Sequence, residues 1–125
     1  MGLGIDSVTM DCADPALVGR FWAEALGWVV ADVDDEWAEV KRPGSSDRLI
    51  FLVVPEGKAV KNRLHLDLRP TGSMAEEVGR MTAIGASAFR YVEENGSFWT
   101  VMQDPEGNEF CVLRGPQDGW SPDEL

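Results

Sequence analysis

The chain has 125 residues, of which 44% are hydrophobic and 26% charged, a composition typical of one folded soluble domain and not of a disordered chain. Its formal net charge is −11, and no cluster of basic residues with interleaved aromatics offsets it, which argues against nucleic acid as a partner. No apolar run reaches the ~20 residues of a membrane span and the first residues lack a secretory signal, so we expect a cytoplasmic protein with no membrane partner and with Cys12 and Cys111 as thiols.

The first half of the chain predicts a strand, a helix and three further strands. Apolar and polar residues alternate over 5–12, as they do in a strand with one buried face. Asp14 and Pro15 then predict a helix start, as its N-cap and first helical residue, and Gly27 predicts the helix end. The remaining strands of this half are predicted at 28–33, 37–41 and 49–54.

The second half repeats this order of elements. Alternation over 63–69 predicts a strand, Ser73 and Glu76 form a capping box that predicts a helix start, and Gly85 predicts the helix end. The other predicted strands of this half are 88–92, 98–103 and 109–113, the last two joined by a turn at 104–108.

Short segments recur in the same order in both halves. VTMD at residues 8–11 corresponds to LHLD at 64–67, and VGR at 18–20 recurs at 78–80. Because the matches keep one order, they predict an α+β fold of two tandem β-α-β-β-β modules. The predicted organisation is a single domain over 1–125, with module 1 at about 5–55, module 2 at about 63–114 and a tail at 115–125.

The order of these motifs resembles that of the glyoxalase/bleomycin-resistance/extradiol-dioxygenase superfamily, also called vicinal oxygen chelate proteins, and in particular its glyoxalase-like subgroup. The segments that carry the resemblance are VTMDCADPALVGRFWAEALGW from Val8, KNRLHLDL from Lys61 and FWTVMQDPEGNEFCVL from Phe98. The resemblance implies that the two modules form a cup-shaped mixed sheet with the helices on its convex side and a small-molecule pocket between the modules. It also implies a homodimer, since relatives often form one.

The implied cup assigns a set of pocket residues. The polar sides of the two alternating strands would face the pocket, and aromatic or apolar side chains of the later strands would line it. Such a lining suits a flat or hydrophobic ligand, while the net charge of −11 would attract a cationic one. The expected ligand-binding residues are Ser7, Thr9, Asp11, Phe51, Leu52, Arg63, Trp99, Met102 and Cys111.

Metal-dependent members of the superfamily bind a divalent ion through one side chain from each of four central strands. The corresponding positions in this chain are Ser7 or Thr9, Phe51 or Leu52, His65, and Cys111. Of these only His65 matches well, so we expect no metal cofactor. The alternative is a divalent metal held by His65, Glu109 and Cys111, or with help from Asp67 or Asp11, a set that would favour zinc.

The remaining chemistry centres on His65, the one histidine of the chain. Beside Asp67 or Glu109 its imidazole would serve as a general acid or base, so these three residues are the candidate catalytic groups. Cys111 is an alternative nucleophile, but acidic surroundings would raise its pKa and favour a packed, unreactive thiol. Three functions stay open: a metal-independent acid–base enzyme, a bleomycin-resistance-like binding protein, or a metal-dependent lyase, isomerase or dioxygenase.

Overall fold

The computed structural model describes residues 2–124; Met1 and Leu125, the two ends of the predicted domain, lie outside the described residues. The chain divides into two compact units, the first ending at Ala59 and the second beginning at Val60. Each unit has the predicted order of one strand, one helix and three strands, which confirms the α+β fold of two tandem modules. No helix in the described part of the chain is long and apolar enough to cross a membrane.

Unit 1 is a four-stranded mixed sheet with one helix. Its strand order is β1-β4-β3-β2, in which β1 runs parallel to β4 and the other neighbours are antiparallel. A parallel pair needs a long crossover, which the helix and the two following strands supply here. The elements are β1 (Val8–Cys12), α1 (Pro15–Leu26), β2 (Val29–Val33), β3 (Trp37–Lys41) and β4 (Arg48–Val53).

The helix α1 begins and ends where its sequence signals predict. A carboxylate oxygen of Asp14 accepts a hydrogen bond from the Leu17 N–H at 3.2 Å, and Gly27 adopts the left-handed conformation at φ 70° that closes the helix. Trp22 of α1 and Phe51 of β4 are both fully buried. Burying a side chain of this size stabilises a fold by about 1.5–3 kcal/mol, so such residues hold α1 against its sheet.

Unit 2 has the same architecture. Its strand order is β5-β8-β7-β6, with β5 parallel to β8 and the other pairs antiparallel. Ser73 caps its helix, since the Ser73 hydroxyl accepts a hydrogen bond from the Glu76 N–H at 3.2 Å. The elements are β5 (Asp67–Leu68), α2 (Met74–Ala83), β6 (Ser87–Glu94), β7 (Ser97–Gln103) and β8 (Glu109–Leu113).

The first strand of unit 2 is shorter than predicted. Only Asp67 and Leu68 pair with β8, and residues 63–66 form a bend and an irregular segment instead of a strand. The backbone N–H of Asn62, just before this segment, donates a hydrogen bond to the Glu109 carboxylate at 2.7 Å and not to a neighbouring strand. The alternation of exposure nevertheless continues from residue 65 to 69, so the predicted division into two sides is retained there.

The tail after β8 is anchored at the start of α2. One carboxylate oxygen of Asp118 accepts hydrogen bonds from the Met74 N–H at 2.7 Å and from the Gly115 N–H at 2.9 Å. Gly115 passes so close to the preceding loop that a Cβ atom on it would lie 2.2 Å from the Gly72 carbonyl oxygen. The tail therefore acts as a second cap of α2 and belongs to the folded unit.

A second contact ties the tail to the end of β5. The guanidinium carbon of Arg69 lies 4.1 Å from the centre of the Trp120 ring, a cation–π geometry. Arg69 also donates a hydrogen bond to the Arg114 carbonyl at 2.7 Å. Trp120 is thus a packing partner of Arg69 within unit 2.

Candidate functional site

The sheet of unit 2 has one face toward α2 and one face away from it. The Thr100 hydroxyl lies 3.4 Å from the Met74 sulfur of α2, so Thr100 and its same-face neighbours point toward the helix. Side chains alternate along a strand, and residues paired across strands share a face. Asp67, Cys111 and Val101 form one transverse row of such pairs on the opposite face. We call this opposite face the far face of unit 2.

The side chains of His65 and Asp67 are in contact on the far face of unit 2, and they form an ion pair when His65 is protonated. The Nδ1 atom of His65 lies 3.1 Å from Oδ1 of Asp67. The two side chains are 40% and 52% exposed, so a molecule from solvent can reach both. Because an ionised carboxylate only accepts hydrogen bonds, the Asp67 contact places a proton on Nδ1 and leaves the lone pair of a neutral ring on Nε2.

Cys111 lies beside this couple but is not activated. No disulfide joins it to Cys12, and both cysteines are buried. Burial, followed by the negative charge of Asp67 and a hydrogen bond to it, raises the pKa of the Cys111 thiol from 9.0 to about 11. A thiol that stays protonated is a poor nucleophile, so the arrangement favours Cys111 as a hydrogen-bond donor to Asp67.

Glu109 shares the far face with Cys111, two residues away on β8, but the structure gives its carboxylate a backbone partner. The side chain is buried at 9% exposure, and its Oε1 atom accepts the hydrogen bond from the Asn62 N–H. Asn62 directly precedes the irregular segment 63–66, which carries His65. Glu109 therefore holds this segment in place.

The donor set of the far face provides a test for the metal that the fold family implies. Ligand atoms of His65, Asp67 and Cys111 all lie within 4.8 Å of one another, a spacing that three ligands of one ion could have. These donors, however, already satisfy each other: the His65 ring binds Asp67, and the protonated Cys111 thiol binds the same carboxylate. A metal bound here would displace both contacts and the thiol proton, and His65, Asp67 and Cys111 are the residues that would hold it.

In unit 1, the predicted pocket residues fall on two faces. Register pairs Thr9 with Ile50 and Asp11 with Leu52, so these side chains share one face of the sheet. Ser7 immediately precedes β1 and is half-buried. A threonine or serine hydroxyl is a weak metal ligand and leucine is none, so this face adds no strong donor apart from Asp11.

Two residues expected in the pocket point toward the helices instead. Phe51 is fully buried, and a Cβ placed on Gly19 of α1 would lie 3.8 Å from its ring. Met102 is fully buried too, and it lies two residues along β7 from Thr100, on the α2 side. Neither residue therefore shares a face with the other predicted ligand-binding residues of its unit.

The other residues predicted to bind ligand in unit 2 have different positions. Trp99 lies on the far face, two residues before Val101 on β7, and is half-buried. Arg63 is exposed in the bend before His65 and is not part of a strand. Trp99 is thus placed to line a site on the far face, whereas Arg63 stands at its margin.

Sequence reasoning did not single out two basic residues that act on this site. The positive charges of Lys61 and Arg90 both oppose the rise in the Cys111 pKa, which shows that their fields reach the row of Asp67 and Cys111. Lys61 adjoins Asn62, and Arg90 lies on β6 opposite Val101. Alternation alone could not reveal Arg90, because its orientation depends on an irregularity in β6.

The comparison with protein families identifies a match over most of the chain. The family described as the glyoxalase-like domain matches residues 7–113. No curated protein matches the chain.

Solved structures with the same fold include proteins of several activities. A glyoxalase-related enzyme from Fulvimarina pelagi has a TM-score of 0.68 at 19% identity, covering 90% of this chain and 88% of its own. A lactoylglutathione lyase from Agrobacterium tumefaciens has a TM-score of 0.63 at 17% identity, with 91% and 94% covered. A bleomycin-binding protein from Streptomyces verticillus, complexed with copper(II)-bleomycin, has a TM-score of 0.61 at 17% identity, with 92% and 98% covered. At these identities the likeness shows the fold alone.

Proposed function

Since the chain belongs to the glyoxalase-like domain family, within the glyoxalase/bleomycin-resistance/dioxygenase superfamily, we propose that it binds a small organic molecule on the far face of unit 2 and moves a proton of that molecule without a metal ion. The observation that carries the proposal is the His65–Asp67 couple, with 3.1 Å between Nδ1 and Oδ1 and both side chains accessible to solvent. Fold alone does not decide function, so the proposal rests on these side chains.

The chemistry follows from the couple's geometry. Asp67 accepts the Nδ1 proton and thereby orients the ring, while the Nε2 lone pair is the base that accepts a proton from the ligand. The resulting imidazolium is stabilised by the adjacent carboxylate, and it can return the proton to another atom of the ligand. This sequence supports an isomerisation or elimination that begins by removing a proton.

Binding of the ligand draws on the other side chains of the far face. Trp99 is half-buried and offers an aromatic surface beside the buried side chains of Val101 and Cys111. Flat apolar walls with few polar groups are typical of small-molecule sites. These contacts support an aromatic or partly apolar ligand.

Deuterium exchange tests the proton transfer directly. Small carbonyl compounds and aromatic metabolites that raise the melting temperature of chelator-dialysed protein are incubated with it in D₂O, and the loss of carbon-bound proton signals is followed by NMR. We expect exchange with the native protein, none with His65→Gln, and slower exchange with Asp67→Ala. Exchange that disappears on dialysis and returns with zinc would contradict the metal-free proposal.

Sequestration of a ligand without chemistry is the second candidate. It is supported by the fold shared with a bleomycin-binding protein and by the net charge of −11, which would attract a cationic molecule. In that case a compound would stabilise native protein and His65→Gln equally, and no deuterium would enter it. Native mass spectrometry of the purified protein would identify a ligand that it retains.

A cytoplasmic location and a homodimer, both expected from the sequence, stay predictions. Two aromatic side chains of β6 are exposed, Phe89 at 61% and Tyr91 at 54%. Such side chains on a strand at the sheet edge support a self-association surface. Sedimentation velocity at two protein concentrations would measure the oligomeric state.

A further inference from the structure

The far face of unit 2 carries a row of four residues that ends in a positive charge. Asp67 of β5 pairs with Cys111 of β8, Cys111 with Val101 of β7, and Val101 with Arg90 of β6. Residues paired in this way point to the same side of a sheet. The row therefore runs from a carboxylate at one edge, across a buried thiol and a buried valine, to an exposed guanidinium at the other.

An irregularity in β6 gives Arg90 this orientation. Ser87 and Ala88 pair regularly with β7, and then Phe89 is left without a partner before Arg90 pairs with Val101. Without the extra residue, Phe89 would oppose Val101 and Arg90 would turn to the side of α2. A β-bulge of this kind re-aims the side chains that follow it.

The guanidinium group of Arg90 is not paired with an acidic side chain of the described residues. Among residues 2–124 its side chain forms no ion pair and donates no hydrogen bond, and the same holds for the side chain of Lys61. Arg80 and Arg69 of the same unit differ, since Arg80 pairs with Glu77 and Arg69 lies over Trp120, whereas the exposed Arg63 in the bend before His65 resembles Arg90 and Lys61 in forming no ion pair among the described residues. Arg90 and Lys61 therefore both keep their N–H donors available to a molecule from solvent, in a chain whose 22 acidic residues outnumber its 11 basic ones.

Lys61 approaches the same site from the segment before β5. It adjoins Asn62, whose N–H is fixed on the Glu109 carboxylate at 2.7 Å, and Glu109 lies two residues from Cys111 on the same face. The negative charge of Glu109 is held by that hydrogen bond, and Asp67 is engaged by His65 and Cys111. Neither Lys61 nor Arg90 forms an ion pair with these two carboxylates among residues 2–124.

We propose that Arg90 and Lys61 bind an anionic group of the ligand, a carboxylate or a comparable oxyanion, and hold its uncharged part over Val101 and Trp99 toward His65. The assignment rests on the proposed function in that it places the ligand on the same face. The ligand expected at this site is therefore an organic anion, and not the cationic molecule that the net charge of −11 would attract. An arginine fork matches the two oxygens of a carboxylate, and lysine adds a point charge.

Three probes of one shape and different charge test this assignment. Benzoate, benzamide and benzamidine are each titrated into ¹⁵N-labelled protein, and the amide signals of β6 and β8 are followed. We expect benzoate to bind roughly fivefold or more tightly than benzamide, as one or two exposed charge pairs allow, and benzamidine to bind most weakly. Added salt should weaken benzoate binding and leave benzamide binding unchanged.

Matched variants locate the anion site. Arg90→Gln and Lys61→Gln should each lower benzoate affinity toward that of benzamide, while Arg42→Gln, which removes the same charge from an exposed hairpin arginine paired with Asp47, should leave it unchanged. Equal affinity for benzoate and benzamide, or equal effects of Arg90→Gln and Arg42→Gln, would overturn the assignment even if deuterium exchange is seen. Benzoate selectivity that persists in His65→Gln supports it even if no exchange occurs.

Discussion

The Asp67 carboxylate serves two neighbours, because its Oδ1 atom lies 3.1 Å from Nδ1 of His65 and the Cys111 thiol donates a hydrogen bond to the same group. One acceptor thus orients an accessible base and a buried donor at once. The arrangement makes Asp67 the residue on which the state of both neighbours depends, and it leads to two separate measurements.

The first measurement concerns the tautomer of His65. Since the chain has one histidine, its ring nitrogens give signals that need no assignment. In the native protein at high pH we expect the proton on Nδ1, and in Asp67→Ala, where this proton has lost its acceptor, a mixture of both tautomers. Long-range ¹H–¹⁵N spectra distinguish these states; the same tautomer ratio in both proteins would show that Asp67 does not orient the ring.

The second measurement concerns the pH dependence of stability. The pKa of Cys111 is raised from 9.0 to about 11 in the folded state, so folding keeps the thiol protonated where an unfolded chain would lose the proton. Its contribution to stability is therefore complete below pH 9 and is lost as the pH rises through about 11. Urea unfolding of native protein and Cys111→Ala at several pH values isolates this contribution as their difference, which should shrink across that window.

Glu109 is expected to act as a positioning residue for the segment that carries His65. Glu109→Ala removes the acceptor of the Asn62 N–H and should cost about 1–3 kcal/mol of unfolding free energy, whereas Glu109→Gln retains a carbonyl oxygen and should cost less. The ring signals of His65 should shift in Glu109→Ala and return to their native positions in Glu109→Gln. Shifts of the same size in both variants would point to the charge of Glu109 instead.

Two glycines of unit 2 should respond to alanine in opposite directions. Gly115→Ala brings a Cβ to within 2.2 Å of the Gly72 carbonyl oxygen, so we expect a loss of about 1–3 kcal/mol as the tail is pushed away. Gly79 lies inside α2 with no atom within 4 Å of a Cβ, so Gly79→Ala should stabilise the protein by about 0.5–1 kcal/mol. Thermal unfolding of both variants checks the pair.

The anchoring of the tail by Asp118 should be measurable in the same way. Asp118→Ala removes the acceptor of two backbone N–H groups, those of Met74 and Gly115, and should cost about 1–2 kcal/mol, as the loss of a helix cap does. Asp123→Ala removes the same charge from an exposed position and is the control. Equal melting temperatures for the two variants would show that the tail does not support α2.

Much of the fold was predictable because its signals are local. Asp14 caps α1, Ser73 caps α2 and Gly27 closes the first helix, each through a contact with a residue a few positions away. The turn at 104–108 is likewise local, since Asp104 accepts hydrogen bonds from the backbone of Glu106 and Asn108. Backbone conformation at such points depends on the side chains nearby, which the sequence contains directly.

The faces of the central strands were not predictable in the same way. Residues 49–51 of β4 are all buried, as are residues 100–102 of β7, so neither strand shows an alternation that separates its two sides. Phe51 and Met102 were therefore expected in the pocket, although register places both toward a helix. The prediction of a strand over 63–69 was too long for a related reason. Alternation of polar and apolar residues indicates which side chains are exposed, but it does not show which groups the backbone N–H groups bind.

The bulge of β6 has a counterpart in β2. In both strands two regular pairs are followed by one residue without a partner, Ala31 or Phe89, and the next residue then pairs with the neighbouring strand. That next residue is Asp32 in unit 1 and Arg90 in unit 2. If the two units arose by duplication of one ancestral module, both inherited this bulge. The exposed residue that follows it can then change from a negative to a positive side chain by mutation, while the strand pairing stays the same. Such a position lets a duplicated module change the charge of the molecules it selects without changing its fold.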